Sequence, residues 1–321
     1  MVHQGSACQR RRGRRFSGEG TATPSYHVPV LAAAVVAWGE GGRRVVDATV
    51  GGGGHAALLR APGAALLAID RDPDALEAAR GVLGGGVEYL CAPFGSAEAL
   101  ARVQAFGPDR ILLDLGLSSH QVDETARGFT FRPGAALDMR MTPGVGPAAA
   151  DILNTWTEER LADAFSRHAD ERRARPLARA IVRRRANAAF RSSDDFVNAI
   201  REILGPRSGP GDFARLFQAL RIAVNAEDEQ LAAALPAFRD ALSGGGRLGV
   251  ITYHSGEDRL VKHSFREWAR DCVCPPRQPV CTCRGRALGR LEPATPVRPG
   301  VEEVAANPRA RSAMFRGFEV A

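Results

Sequence analysis

The first residues whose types and spacing could do chemistry are a run of glycines with acids on either side. Val45-Val46-Asp47-Ala48-Thr49-Val50 leads directly into Gly51-Gly52-Gly53-Gly54-His55. Glycines let backbone approach a ligand where a Cβ would clash, and they reach positive φ at little cost. Asp70 stands 19 residues beyond Gly51, at the end of the apolar run Ala65-Leu66-Leu67-Ala68-Ile69. At that separation a carboxylate can accept hydrogen bonds from a ribose diol. The pair points to a nucleoside-type cofactor. Gly52-Gly53-Gly54-His55-Ala56-Ala57 also satisfies G-x-G-x-x-A, which keeps NAD in view. Three features favour S-adenosylmethionine instead. Asp47 lies four residues before the glycines, Phe94 follows the third apolar run where an aromatic can pack on adenine, and Asp114 ends the fourth. His55, taken alone, reads as a helix-capping or packing histidine.

Elements that could position these residues are legible around them. Strands are expected at 44–48, 65–70, 87–91 and 110–114, with helices opening at 55 and running from 74 to 82. Short apolar strands alternating with helices predict a parallel sheet covered on both faces. From about 122 to 215 the alternation stops, and 151–167, 171–189 and 193–204 carry helical periodicity. Strand character returns at 247–253, after Gly244-Gly245-Gly246. The expected fold class is α/β: a Rossmann-like domain of residues 26–121 and 216–321, interrupted by an all-helical insertion of residues 122–215.

Size and charge bound the rest. The chain has 321 residues, 45% hydrophobic and 25% charged, enough to bury a core without disulfides. Its formal charge is +7, and Lys262 is the only lysine. Arginine suits phosphate contacts, so the charge permits a nucleic-acid partner without demanding one. No apolar stretch approaches the roughly 20 residues needed to cross a bilayer. Residues 1–25 carry Arg10, Arg11, Arg12, Arg14 and Arg15 with no export pattern; they read as a disordered basic tail, and the expected compartment is the cytoplasm.

Two further clusters stand out. Eight arginines between Arg172 and Arg191 share a 20-residue window with no acid, and 172, 175, 179 and 183 recur at helical spacing. Such a stripe suits a phosphate backbone or is simply a solvated face. Cys272-Val273-Cys274 and Cys281-Thr282-Cys283 could hold zinc, but C-x-C is less typical of zinc knuckles than C-x2-C. Reduced thiols in a proline-rich surface loop are the plainer reading, and no metal ligand is assigned.

Several blocks in order along the chain now converge. They are His27-Val28-Pro29-Val30-Leu31, Asp47 to His55, Ala68-Ile69-Asp70-Arg71-Asp72-Pro73 and Ile111 to Ser119. Then come Arg127-Gly128-Phe129-Thr130-Phe131, Leu137-Asp138-Met139-Arg140-Met141, Phe217 to Asn225, His254-Ser255-Gly256-Glu257-Asp258-Arg259 and Asn307-Pro308-Arg309-Ala310-Arg311-Ser312. On these the chain resembles the RsmH (MraW) family, bacterial methyltransferases that modify N4 of a cytidine in the decoding centre of 16S ribosomal RNA. The resemblance implies a methyltransferase fold with a helical insertion as the RNA grip, S-adenosyl-L-methionine as cofactor, and small-subunit RNA or the assembled subunit as partner. Carried over by motif, the cofactor contacts are Gly53, Gly54, His55, Asp70, Phe94, Asp114 and Gln121. The departures are His120, where the family often has proline, and Gly256, where it often has leucine.

Cytosine N4 is a poor nucleophile because its lone pair is delocalised into the ring, so an acceptor on N4–H would help. Many amino methyltransferases place Asn/Asp-Pro-Pro-aromatic after the fourth strand. Here that slot is Asp114-Leu115-Gly116-Leu117, lacking both prolines and the aromatic. The catalytic candidates are Asp114, Asp138 and His254, in that order. Asp138 could instead pair with Arg140, and Ser255-Gly256-Glu257-Asp258 fits a helix capping box. The rival functions are a nicotinamide-dependent oxidoreductase and a non-catalytic RNA-binding protein.

Overall fold

A computed structural model of the protein describes residues 29–117, 121, 122 and 124–321. The expected tail of residues 1–25 lies outside the described residues, as do His27-Val28, Ser118-Ser119 and His120 of the motifs above. The chain falls into two compact units, one reaching Gly116 and resuming at Gln230, the other spanning Leu117–Glu229.

The first unit is built on a seven-stranded sheet: β1 (Arg44–Asp47), β2 (Ala65–Asp70), β3 (Val87–Cys91), β4 (Arg110–Asp114), β5 (Arg247–Thr252), β6 (Gly289–Leu291) and β7 (Met314–Val320). Strand order is β3-β2-β1-β4-β5-β7-β6. The first five strands run parallel, and β7 pairs antiparallel with both β5 and β6. The order reverses between β1 and β4, and the crevice at the carboxyl ends of strands on either side of such a switch is where open α/β sheets bind ligands. This is a Rossmann-like α/β fold.

Alternate strand residues supply the two cores. Val46, Leu67, Ile69, Ile111, Leu113 and Val250 face one side. There they meet α4 (Ala97–Phe106), α10 (Glu227–Ala241) and α11 (Ser255–Trp268). Val45, Leu66, Ala68, Leu112 and Ile251 face the other, against α1 (Ala32–Gly39), α2 (Gly54–Leu59) and α3 (Pro73–Leu83). The helices start where their sequences direct. Asp72 caps α3 by accepting from Asp74 N–H at 3.2 Å, with Pro73 at the first helical position. Ser96 caps α4 from the Ala99 N–H at 3.3 Å.

Close packing at the middle of β5 gives a testable consequence. A Cβ on Gly249 would lie 2.8 Å from Trp38 Cζ2 and 2.9 Å from Phe315 Cε2. Those two rings are buried and meet edge to face with centroids 5.7 Å apart, leaving little room to yield. Gly249→Ala is expected to cost about 1–3 kcal/mol by overpacking, read from denaturant unfolding; an unchanged midpoint would contradict this packing.

The second unit, among its described residues, is helical: α5 (Ala149–Thr155), α6 (Glu158–Ala169), α7 (Ala174–Arg185), α8 (Ser193–Leu204) and α9 (Pro210–Asn225), with a short 3-10 turn at Thr125–Arg127. Phe165, Phe196 and Phe217 form its centre, Phe196 lying 5.8 Å from Phe165 and 5.0 Å from Phe217 by ring centroids. Phe213, Leu216, Phe217 and Leu220 lay one face of α9 into this core, which places α9 with the helical unit. The border therefore falls after α9, at Glu229, whereas the residue pattern suggested about 215. The helical run expected over 151–167 is two helices, because Thr157 caps a new start by accepting from Arg160 N–H at 3.3 Å. Among the described residues, no helix is long and apolar enough to cross a membrane.

Candidate functional site

Asp47, Asp70 and Asp114 terminate β1, β2 and β4, on either side of the reversal in strand order. The turn after β1 tightens at Gly51 and Gly53, with φ of 50° and 87°, values that favour glycine. Gly53 is also a close contact: a Cβ there would press on Ala79 Cα and Leu83 Cγ of α3, each at 3.3 Å. Gly54 opens α2.

The Asp70 carboxylate is already oriented. Its Oδ2 accepts from Gly51 N–H at 2.9 Å and its Oδ1 from Asp72 N–H at 2.9 Å. Each oxygen keeps a second lone pair. Burial raises the Asp70 carboxyl to about 6, against the pull of the Asp72 and Gly51 N–H groups. Asp47 is 1% exposed, and burial raises it to about 7. His55 and the Thr49 N–H pull it back, while Asp114 and Asp70 push it further up.

His55 and Asp114 form the other half of the cluster. The His55 ring is buried, with Nε2 2.8 Å from Val30 O and Nδ1 3.4 Å from Asp114 Oδ2. Asp114 N–H donates to Thr49 Oγ1 at 2.6 Å. The Tyr253 phenol lies beside the Asp114 carboxylate, and burial first, then the Asp114 charge, pushes it well above its ordinary value. Gly116 makes room for that ring, since a Cβ there would sit 2.8 Å from Tyr253 Cε2. Neither Tyr253 nor Thr49 was singled out from the sequence. The available signal was register: β4 and β5 pair Asp114 with Ile251, so residues just past β5 border Asp114.

The remaining sequence candidates sit elsewhere or are otherwise engaged. Phe94 is half-buried in the turn after β3, packed against the core beneath α4. His254 is the N-cap of α11: its Nδ1 accepts from Glu257 N–H at 3.4 Å, and Glu257 Oε2 accepts from Tyr253 N–H at 3.0 Å. The helix start thus begins one residue earlier than the Ser255 box expected. Gln121 and Asp138 belong to the helical unit, and Gln121 is buried there. Asp138 forms a two-pronged pair with Arg140, Oδ1 to Nε at 2.9 Å and Oδ2 to Nη2 at 2.6 Å. Burial pushes the Asp138 carboxyl up, but the hydrogen bonds from the Arg140 side chain and backbone outweigh it and hold it below its usual range.

Three acids and a histidine at one rim carry a measurable cost. The folded protein keeps a proton on Asp47 between the ordinary carboxyl value of 3.8 and about 7, where the unfolded chain has lost it. The folded state therefore binds more protons, and this group's contribution to stability falls as pH rises through that window. Asp47→Asn keeps the acceptor for Thr49 N–H and removes the titration. At pH 8 it is expected to stabilise the ligand-free protein by on the order of 2 kcal/mol, or roughly 5 °C, with the gain vanishing towards pH 4. Thermal unfolding across pH checks this; equal midpoints at pH 8 would contradict it.

The arginine cluster differs from its sequence expectation. Arg172 and Arg173 precede α7, so the recurring stripe on that helix is Arg175, Arg179 and Arg183. Neighbouring elements supply the acids that the local sequence lacks: Arg179 Nε meets Glu158 Oε1 at 3.3 Å, and Arg183 and Arg184 both pair with Glu202. Arg185 donates to Leu153 O and Trp156 O at 2.9 and 2.7 Å. Arg172 and Arg175 are exposed.

Comparison with known proteins shows the family. The family model described as the MraW methylase family matches residues 24–321. The chain is 50% identical over 304 residues to the ribosomal RNA small subunit methyltransferase H of Gemmatimonas aurantiaca, covering 93% of this chain and 96% of that protein. It is 45% identical over 303 residues to the protein of the same name from Thermomicrobium roseum, covering 91% and 93%. A third, from Syntrophobacter fumaroxidans, is 42% identical over 308 residues, covering 91% and 96%. Coverage of this extent leaves no room for the nicotinamide oxidoreductase reading: the chain belongs to the MraW methylase family.

Proposed function

We propose that the protein transfers a methyl group from S-adenosyl-L-methionine to N4 of a cytidine in the decoding centre of 16S ribosomal RNA. The observation that carries the cofactor part is the acid rim: Asp47, Asp70 and Asp114 beside the glycine turn, two of them raised by burial. The names of the relatives support small-subunit ribosomal RNA as substrate, and the family resemblance supplies the base and atom.

The residues present fit such a cofactor. Asp70, held by two backbone N–H groups, has lone pairs left for the ribose hydroxyls. Gly53 and Gly54 let the chain pass close to the ligand, and the resemblance assigns the adenine to Phe94, half-buried in the turn after β3. The negative charge of Asp114, joined by that of Asp47 above about pH 7, suits a cationic ligand, with His55 3.4 Å from the Asp114 carboxylate. The resemblance adds Gln121. When bound, the cofactor supplies an electrophilic methyl on a sulphonium, whose departure leaves a neutral thioether.

The protein's task is then alignment and exclusion of water. Asp114 is our choice for the acceptor on N4–H, because it ends β4 at the rim, with its backbone N–H held by Thr49 and its carboxylate facing His55. Hydrogen bonding to the amino group draws density onto nitrogen, and Asp114 holds the proton until solvent removes it. Asp138 and His254 rank behind it, since Arg140 and Glu257 engage them.

The helical unit is assigned as the RNA grip, through Arg172 and Arg175 rather than the whole stripe. Arg172→Glu with Arg175→Glu is expected to weaken RNA binding about tenfold or more and flatten its salt dependence, leaving cofactor affinity unchanged. Parallel titrations of RNA and cofactor check it; equal loss of both would contradict it. The function as a whole is tested by incubating the protein with methyl-labelled cofactor and unmodified small subunits or naked RNA, then digesting to nucleosides. Label on N4-methylcytidine is expected; no label, or label on another base, overturns the proposal.

A further inference from the structure

The segment joining α11 to β6, residues 269–288, has no evident reason to be ordered. None of its residues is buried, and none lies in a helix or strand. Uninterrupted loops of this length are uncommon in compact domains, and ordering one costs conformational entropy that a core normally offsets. Its neck is tied: Leu288 N–H donates to Trp268 O at 2.8 Å, Ala287 N–H to Asp271 Oδ1 at 3.1 Å, and Arg284 Nη2 to Arg270 O at 3.1 Å. Beyond the neck the chain doubles back through a turn in which Gln278 N–H donates to Pro275 O and its side-chain amide to Val280 O and Thr282 Oγ1. What the turn brings together is sulfur.

Cys272, Cys274, Cys281 and Cys283 place all four Sγ atoms within 4.8 Å of one another. Cys281 lies 3.8 Å from both Cys272 and Cys274 and 3.4 Å from Cys283, and Cys283 lies 3.8 Å from Cys272. These separations exceed the roughly 2.0 Å of a disulfide, and the four cysteines are free. They match a different object. Four sulfurs each 2.3 Å from a tetrahedral centre stand about 3.8 Å apart. An iron–sulfur cluster, with several irons and sulfides between its thiolates, would hold them farther apart. The Val273 N–H also donates to Cys283 Sγ at 3.3 Å, the kind of backbone bond that orients a thiolate ligand.

We propose that Cys272, Cys274, Cys281 and Cys283 bind one zinc ion as a closed tetrathiolate site that orders the α11–β6 connection. With four protein ligands and no open position, the ion is structural and takes no part in methyl transfer. Its binding energy substitutes for the core that this segment lacks.

The test uses the full chain, reduced and purified without chelator. Elemental analysis is expected to find about one zinc per chain, and cobalt(II) to give the intense thiolate charge-transfer and tetrahedral ligand-field bands at the same stoichiometry, reversed by zinc. Cys281→Ser with Cys283→Ser should drop bound zinc below about one-tenth per chain. Chelation of the wild type should newly expose Arg277, Arg284 and Arg286 to trypsin while cleavage elsewhere in the chain is unchanged, a reading that does not depend on the variant folding. No zinc after reconstitution, one iron in its place, full zinc retention by the double variant, or trypsin sensitivity indifferent to chelation would each overturn the proposal.

Discussion

Replacing Asp70 by alanine is expected to raise the dissociation constant for S-adenosylmethionine at least about 100-fold. Hydrogen bonds to a charged group contribute about 1.5–3 kcal/mol each, and two ribose hydroxyls are at stake, so 100-fold is a lower figure. The substitution also releases the Gly51 and Asp72 N–H groups, which the carboxylate holds at 2.9 Å, and so loosens the turn on which the ligand rests. Asp70→Asn separates the two effects, because its single carbonyl oxygen can satisfy one N–H but carries no charge. It should fall between wild type and alanine. The pH dependence follows from the carboxyl being raised to about 6: affinity should be level above pH 7 and fall about tenfold per unit below pH 6, as the ionised form becomes scarce. Calorimetric titration at several pH values reads all of this. An alanine variant with near-native affinity would contradict the assignment.

The second large effect is expected at Asp114. Asp114→Asn preserves shape but replaces a charged acceptor facing Tyr253 and His55 with an amide. If that carboxylate draws the N4 proton, single-turnover methyl transfer should slow about 10²–10⁴-fold. Cofactor affinity should change by less than about tenfold, since the ribose is held elsewhere. Tyr253→Phe tests the surroundings: it removes the hydroxyl beside Asp114 and should slow transfer by a smaller factor. A loss confined to cofactor binding, with the rate at saturation intact, would return Asp114 to a purely cofactor-binding role.

How much of this was readable beforehand depended on where each residue's partners lie. β1 to β5 are short apolar runs bounded by turn residues, and their terminal acids fall at the sheet rim because strands end there. Asp47, Asp70 and Asp114 were visible for that reason. β7 was not. It mixes Arg316, Gly317 and Glu319 with its apolar residues, and the charges are paired far away in sequence: Arg316 with Asp258 at 2.7 Å and Glu319 with Arg247 at 2.9 Å. β6, three residues long, carries no periodicity. The arginine window misled in the same way, since Glu158 and Glu202 come from other helices of the unit. Tyr253 fell within an expected strand, but only the β4–β5 register brings it to Asp114. The cysteines showed the converse. C-x-C spacing argued weakly for a metal, and only a turn that no pattern predicted sets four sulfurs at tetrahedral distances.

The most direct measurement pairs a change in the protein with a change in the ligand. S-adenosylhomocysteine and its 2′,3′-dideoxy analogue are titrated into wild type and Asp70→Ala, completing a double-mutant cycle across the carboxylate–ribose contact. Wild type should bind the dideoxy analogue about 100-fold more weakly than the parent, by the hydrogen-bond energies above, while the variant binds both alike. A variant that still discriminates between them as strongly as wild type would mean that the ribose is held by some other group, and that the cofactor does not lie at the carboxyl rim of this sheet as described.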